Sequence, residues 1–372
     1  MRAVRRPPAV APPSWLSADR VLPPLAALTL AAAWGRDLPA AGVVVVAAVL
    51  IGAVLVAVRH AEVVAHRVGE PLGSLVLAVA VTVIEVGLIV TLMASGGPQA
   101  GTLARDTVFA AVMITLNGIV GLALLMRAAR FHVIHFNAEG TGAALATVAS
   151  LATLSLALPA FTASSPGPVF SGPQLVFAAL ASLVLYGSFV LNQTGRHRDF
   201  FLPVGRDGEL APVSEHAAPP SGRATAESAV LLVVALVAVV GLAKLESPAI
   251  ERGVAAAGFP LSAVGVVIAL VVLLPETLAA VRAARRDRIQ ISLNLAVGSA
   301  MASIGLTIPA IAVASLWLDG PLLLGLGPVQ LALLTLTVVV SVLTVVPGRA
   351  TRLQGGVHLV LLAAFLFLSV QP

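Results

Sequence analysis

Two acids stand where acids are costly. Glu85 lies in "VAVTVIEVGLIVTLM" (79–93) and Glu276 in "LLPETLAAV" (273–281), each inside an apolar run long enough to cross a bilayer. A charged side chain at mid-bilayer costs at least ~2.5–3.5 kcal/mol on insertion scales, so an acid there marks a functional site by default. Of the 17 acids in the chain, these two alone sit well inside predicted spans; the others fall in loops, tails or helix ends. Oxygen-bearing side chains accompany both. Thr82 precedes Glu85 by three residues and shares its helix face. Asn117 lies in the next apolar run, "FAAVMITLNGIVGLAL" (109–124), and Ser299 and Ser303 lie in "LAVGSAMASIGLTIP" (295–309), the run that follows Glu276.

Two carboxylates held together in a low dielectric cannot both stay ionised without a counterion, so without a cation they hold protons. A hard cation such as Ca²⁺ takes ~6–8 oxygens. Two glutamates supply up to four of these, and Asn117, Ser299, Ser303, Thr82, backbone carbonyls and water supply the remainder. Soft metals prefer His or Cys. The chain has no cysteine, and the nearest candidate histidine, His358, is placed by the sequence at the start of the last span, away from both acids. Protons and a hard cation therefore compete for one site. If only occupied forms cross between inward and outward states, the outcome is cation/proton antiport. The bland alternative is that both acids are permanently protonated and only bond neighbouring helices.

The elements that must position these groups follow from composition. Of 372 residues, 59% are apolar and only 10% charged, with a mean hydropathy of +1.03, far from the ~25% charged of soluble domains. Apolar segments recur at 22–36, 39–58, 72–95, 107–126, 141–161, 173–193, 228–243, 259–281, 291–317, 321–346 and 353–371. They do not alternate, so helices and not barrel strands are expected. The prediction is an all-α polytopic membrane protein with eleven transmembrane helices. Lys and Arg divide 18 to 4 between alternate sides, which places the N-terminus in the cytoplasm and the C-terminus outside. Basic residues lie in short clusters between spans without interleaved aromatics, so the pI near 11 reflects topology and not nucleic-acid binding. The basic N-terminus is read as a retained cytoplasmic tail, not a signal peptide.

The one long polar segment, 194–227, reads as a cytoplasmic linker. It divides the chain into a tail plus extra helix (1–38), a first five-helix unit (39–193) and a second (228–372). Glu85 is in the third span and Glu276 in the eighth. An odd offset runs the second acid helix in the opposite direction, so the units form an inverted-topology repeat with a site expected near the midplane. Pro275 removes a backbone donor beside Glu276 and is expected to break that helix. Glycines 118, 121, 298 and 305 are expected to be close-packing positions. "FHVIHFN" (131–137) and "VRAARRDRIQ" (281–290) are read as a solvated loop and the cytoplasmic stop of a span, with lipid-headgroup contact as a minor extra.

"LAVAVTVIEVGLIVTLM" (77–93), "RDTVFAAVMITLNGIVGLALL" (105–125) and "LLPETLAAVRAARRDRIQISLNLAVGSAMASIGLTIPA" (273–310) resemble the bacterial Ca²⁺(Na⁺,K⁺)/H⁺ antiporters of the calcium/cation antiporter superfamily. "RHRDFFLP" (196–203) and "LQGGVHLVLLAAFLF" (353–367) add to the resemblance, which covers nearly the whole chain. It implies one extra helix plus two inverted five-helix repeats, in a bacterial cytoplasmic membrane. It implies paired cation-binding acids at Glu85 and Glu276, a polar partner at Asn117, and a Gly-Ser pair at Gly298 and Ser299, with Ser303 matching Asn117. Metal cations and protons are then the substrates, with the lipid bilayer as surroundings and no resident cofactor, ATP or nucleic acid. One departure stands out. Many members carry Gly-Asn shortly before each acid, whereas this chain has Val81-Thr82 and Val272-Leu273. Fewer side-chain oxygens then surround the ion, which argues against strict Ca²⁺ selectivity and leaves Na⁺ or K⁺ open. Two other readings remain on sequence grounds: an intramembrane acid–base enzyme and a passive cation channel. No His-Glu-x-x-His, nucleotide loop or Ser/His dyad supports the first.

Overall fold

A computed structural model describes residues 16–69, 72–94, 100–195, 197–204, 219–318 and 320–371. Most of the tail and the centre of the linker at 194–227 lie outside the described residues. The helices are α1 (Leu16–Ala33), α2 (Ala40–Val68), α3 (Leu72–Ala94), α4 (Leu103–Met113), α5 (Val120–Ala128), α6 (Ala138–Ala152), α7 (Gly172–Thr194) and α8 (Gly222–Ala256). They continue with α9 (Ala263–Val272), α10 (Leu274–Arg285), α11 (Ile289–Gly305), α12 (Thr307–Ala314), α13 (Pro328–Val345) and α14 (Arg352–Val370). A π-helical turn, Ile114–Ile119, joins α4 to α5 in one continuous rod.

Among the described residues, nine helices are long and apolar enough to cross a membrane, and α9 plus α10, bent by 54°, make a tenth. α1 is helical over 18 residues but carries Pro23 and Pro24 and is not among them, so the described residues give nine or ten spans by length and composition where the sequence led to eleven. Boundaries moved as well. α2 runs on to Val68 and α8 reaches Ala256, past the expected ends at 58 and 243, because residues such as Arg, Glu and Lys stop a hydropathy window without stopping a helix. At 321–327 the expected helix is absent. This Gly- and Pro-containing stretch is extended and tucks Leu322, Leu324 and Leu326 inside. Its backbone is tied by Gly325 N–H to Pro168 O (3.0 Å) and Leu326 N–H to Leu156 O (2.9 Å).

The centre of the molecule is the rod Leu103–Ala128, 89% buried over its apolar window, followed by the span Ile289–Ala314; α7 and α14, each 22% buried, face outward. Small residues let backbones approach where the rod meets its neighbours. A Cβ on Gly355 would lie 2.9 Å from Leu125 N and 3.1 Å from Gly121 O, so α14 and α5 pack there with no room for a side chain. Phe109 of α4 then meets Phe365 of α14 edge-on at 5.5 Å. On the side where "FHVIHFN" lies, β1 (Ile134–His135) pairs antiparallel with β2 (Arg349–Ala350), clamping the turn after α5 to the turn after α13.

Candidate functional site

α3 is almost wholly apolar, so its one acid must find polar company inside the protein. Glu85 is 2% exposed, and its Oε2 accepts a hydrogen bond from Ser303 Oγ of α11 at 2.9 Å. Its Oε1 is buried with no hydrogen-bond partner among the described residues. Thr307 stands beside it, fully buried, without a hydrogen bond of standard geometry. An apolar helix holding an acid against a hydroxyl 218 residues away is a tertiary arrangement that local sequence does not reveal.

The helix break between α11 and α12 brings Ser303 and Thr307 to that place. Pro309 has no N–H to give the Gly305 carbonyl, and Leu306 takes φ −108°, ψ −36°. Gly305 is required because a Cβ there would lie 2.8 Å from Tyr186 Cβ.

A second break presents Glu276. Pro275 cannot donate to the Val271 carbonyl, and the chain bends by 54° between α9 and α10, as the sequence predicts. Glu276 thereby becomes a first-turn residue of α10, where the helix dipole favours negative charge. It is half-buried, and its Oε2 is enclosed with no hydrogen-bond partner among the described residues. Glu85 and Glu276 lie within electrostatic range of one another. The geometry therefore offers two unsatisfied carboxylate oxygens, one from each half of the chain, with hydroxyls beside the first. An orphaned buried oxygen of this kind costs several kcal/mol unless a proton or a cation satisfies it, so the donor set fits a hard cation.

The remaining expected ligands divide. Thr82 is buried one turn before Glu85, and its Oγ1 has no hydrogen-bond partner among the described residues. Ser299 is half-buried and makes no side-chain hydrogen bond among the described residues, and beside it Gly298 faces open space. Gly298 is thus not the packing glycine the sequence suggests, while Gly118, Gly121 and Gly305 do abut neighbours. Asn117 is fully buried, but its amide is engaged elsewhere. Its Nδ2 donates to Thr337 Oγ1 at 2.9 Å, and its Oδ1 bonds His358 Nδ1 at 3.1 Å. With Oδ1 accepting, His358 carries its proton on Nδ1, and Thr344 Oγ1 donates to Nε2 at 3.2 Å. His358 does not begin its span, and among the described residues its hydrogen bonds go to Asn117 and Thr344 and to neither acid. It lies seven residues into α14, 1% exposed, fixing the expected ligand Asn117.

Sequence reasoning also missed buried acids beyond the pair. Glu246 (3% exposed) lies in the part of α8 past residue 243, with Oε1 making no hydrogen bond among the described residues. Asp106 (5% exposed) opens α4 and pairs with Arg105 Nε at 2.8 Å. Glu62, by contrast, is exposed on the extended end of α2, within electrostatic range of Arg59, Arg282 and Glu276. The signal for each was helix continuation past a polar residue. The π turn at 114–119, a feature frequent at functional sites, has no sequence signal.

Comparison with known proteins gives a consistent result. The family model for "Sodium/calcium exchanger protein" matches residues 38–195 and 227–371. The chain is 46% identical over 351 residues to the "Putative ionic transporter y4hA" of Sinorhizobium fredii (strain NBRC 101917 / NGR234), covering 94% of this chain and 93% of that one. It is 34% identical over 309 residues to the "Sodium-potassium/proton antiporter ChaA" of Escherichia coli (strain K12), with 83% of each covered. The crystal structure of the H⁺/Ca²⁺ exchanger CAX superposes with a TM-score of 0.66 over 95% of this chain and 92% of that one, at 15% identity.

Proposed function

The chain belongs to the sodium/calcium exchanger protein family, within the calcium/cation antiporter superfamily, and from that premise we propose that it exchanges Ca²⁺ and/or Na⁺/K⁺ for H⁺ through Glu85 and Glu276. It is a polytopic membrane transporter, not an enzyme. The reading is carried by one observation: two acids from separate halves, each with a buried carboxylate oxygen that no group among the described residues satisfies, lie within electrostatic range of each other. A proton or a cation removes that deficit, and the two compete because each needs the same oxygens. ChaA is a sodium-potassium/proton antiporter and CAX an H⁺/Ca²⁺ exchanger, so relatives supply both cation classes. The absence of Asn before either acid favours Na⁺ or K⁺ alongside Ca²⁺.

In the proposed cycle Ser303 and Thr307 attend Glu85, and Thr82 and Ser299 complete the cation shell with water. Asn117 acts from behind, bonded to Thr337 and His358. The extra helix at 1–38, the inverted repeats at 39–193 and 228–372, the linker between them, and a cytoplasmic N-terminus in the bacterial cytoplasmic membrane form the framework of this proposal. The cation is cargo; no resident cofactor and no ATP enter the cycle.

The test is reconstitution in liposomes with an imposed pH gradient, offering Ca²⁺, Na⁺ and K⁺ separately. Wild type drives saturable, proton-coupled uptake of at least one. Glu85→Gln and Glu276→Gln each abolish it while the protein still elutes as a folded species. Full turnover in either variant refutes the paired-acid mechanism, and uptake uncoupled from protons indicates a channel.

A further inference from the structure

The cluster "VRAARRDRIQ" does more than end a span. α10 is a short rod of 12 residues that begins at the 54° bend and carries Glu276 in its first turn. Counting 1.5 Å per residue, Arg285 lies about 13 Å along α10 from Glu276, and Arg286 and Arg288 lie in the turn that follows the helix. The hydrocarbon core is about 15 Å thick on each side of its midplane. With Glu276 near the midplane and α10 close to the membrane normal, the far end of α10 and its turn come to the edge of that core, next to the headgroups.

The patch is built from two loops. Arg127, at the end of α5, pairs with Asp287, and Arg130 Nη1 reaches the Arg285 carbonyl at 3.5 Å. Asp287 holds φ +63°, a left-handed turn that non-glycine residues seldom take, and it is the sole acid in 277–290. Its charge is spent on Arg127, so Arg130, Arg285, Arg286 and Arg288, all exposed, are left facing outward with no acid of their own stretch to neutralise them. A basic cluster beside the cytoplasmic end of membrane helices is complementary to anionic headgroups, and the planar guanidinium matches phosphate oxygens two at a time.

We propose that Arg130, Arg285, Arg286 and Arg288 bind the phosphate of an anionic phospholipid, which anchors the far end of α10 and so sets the position of Glu276 in the membrane. The binding claim stands by itself; its effect on transport rests on the exchange activity proposed above. The bend at Leu273 makes α10 a lever, and a lever needs a hold at the end opposite its joint.

The test has two arms. In the first, detergent-purified protein is offered phosphatidylglycerol and phosphatidylcholine at equal concentration and the retained lipid is counted by native mass spectrometry. Wild type retains phosphatidylglycerol in preference. Arg285→Gln/Arg286→Gln/Arg288→Gln weakens retention by about fivefold per arginine removed, and the matching Lys triple, which keeps the charge, holds more than the Gln triple. Millimolar inorganic phosphate leaves the bound lipid in place; displacement by it identifies a free-anion site and overturns the assignment. Because the triple removes three of the charges that orient the chain, Arg286→Gln/Arg288→Gln is measured alongside it. In the second arm, exchange is followed in phosphatidylcholine liposomes with and without phosphatidylglycerol. Wild type speeds up severalfold with the anionic lipid and the Gln variants do not. Equal phosphatidylglycerol retention in wild type and both Gln variants shows that the cluster serves topology alone. Preferential retention with no exchange in any liposome leaves the lipid site standing and removes the antiport reading instead.

Discussion

Replacing Ser303 with alanine tests the site at its best-defined contact. Ser303 Oγ donates to Glu85 Oε2 at 2.9 Å, and both residues are at most 3% exposed. Water is therefore poorly placed to substitute for the lost hydroxyl. A hydrogen bond to a neutral partner contributes about 0.5–1.5 kcal/mol and one to a charged partner about 1.5–3 kcal/mol. Loading a cation replaces the proton on Glu85, so the loaded site depends on the stronger bond and the empty, protonated site on the weaker one. The difference, about 1–1.5 kcal/mol, falls on cation binding and raises the half-saturating concentration about five- to tenfold. Maximal rate changes little, because the acids themselves are intact. The assay is initial uptake in proteoliposomes at fixed internal and external pH, over two decades of cation concentration. Half-saturation within twofold of wild type, with the protein folded, would mean that this bond does not belong to the loaded site.

Three other outcomes follow from the packing. His358→Ala leaves the buried Asn117 Oδ1 unsatisfied and opens a cavity, costing about 2–4 kcal/mol of stability; a thermal-shift assay checks it, and an unchanged midpoint contradicts the assigned network. Pro275→Ala returns an N–H to the Val271 carbonyl and favours a straight α9–α10, so exchange slows at least tenfold, by about 1.4 kcal/mol or more in barrier height, while thermal stability does not fall. Gly355→Ala forces α14 and α5 apart and costs about 1–3 kcal/mol, read as a lower midpoint in the same assay; no loss means the two backbones are not in contact.

The fold class and the pair of acids were legible in the sequence because each violates a strong average. Fifty-nine per cent apolar residues in long non-alternating runs admit only membrane helices, and an acid inside such a run is costly enough to stand out. Pro275 was legible for the same reason, since a missing donor acts on its own helix. Asn117 was half legible: its type and position marked it, yet its direction depends on Thr337 and His358, more than 200 residues away. Glu246 and Glu62 were hidden by treating the first polar residue as the end of a span. The segment at 321–327 looked helical because apolarity alone does not distinguish a helix from a buried extended strand held by Gly325.

What the chain determined by itself was its solvent, the number of times it can cross that solvent to within one or two, and the presence of two acids inside its apolar runs. These are sums over local composition, and local composition is what a sequence states directly. Tertiary structure alone decided which oxygens those acids meet. Ser303 reaches Glu85, Ser299 makes no side-chain hydrogen bond among the described residues, and Asn117 turns toward His358. The rotation of each helix about its axis is set by packing against neighbours distant in sequence. A turn of 100° per residue moves a ligand from the site to the lipid without altering the hydropathy of the run that carries it.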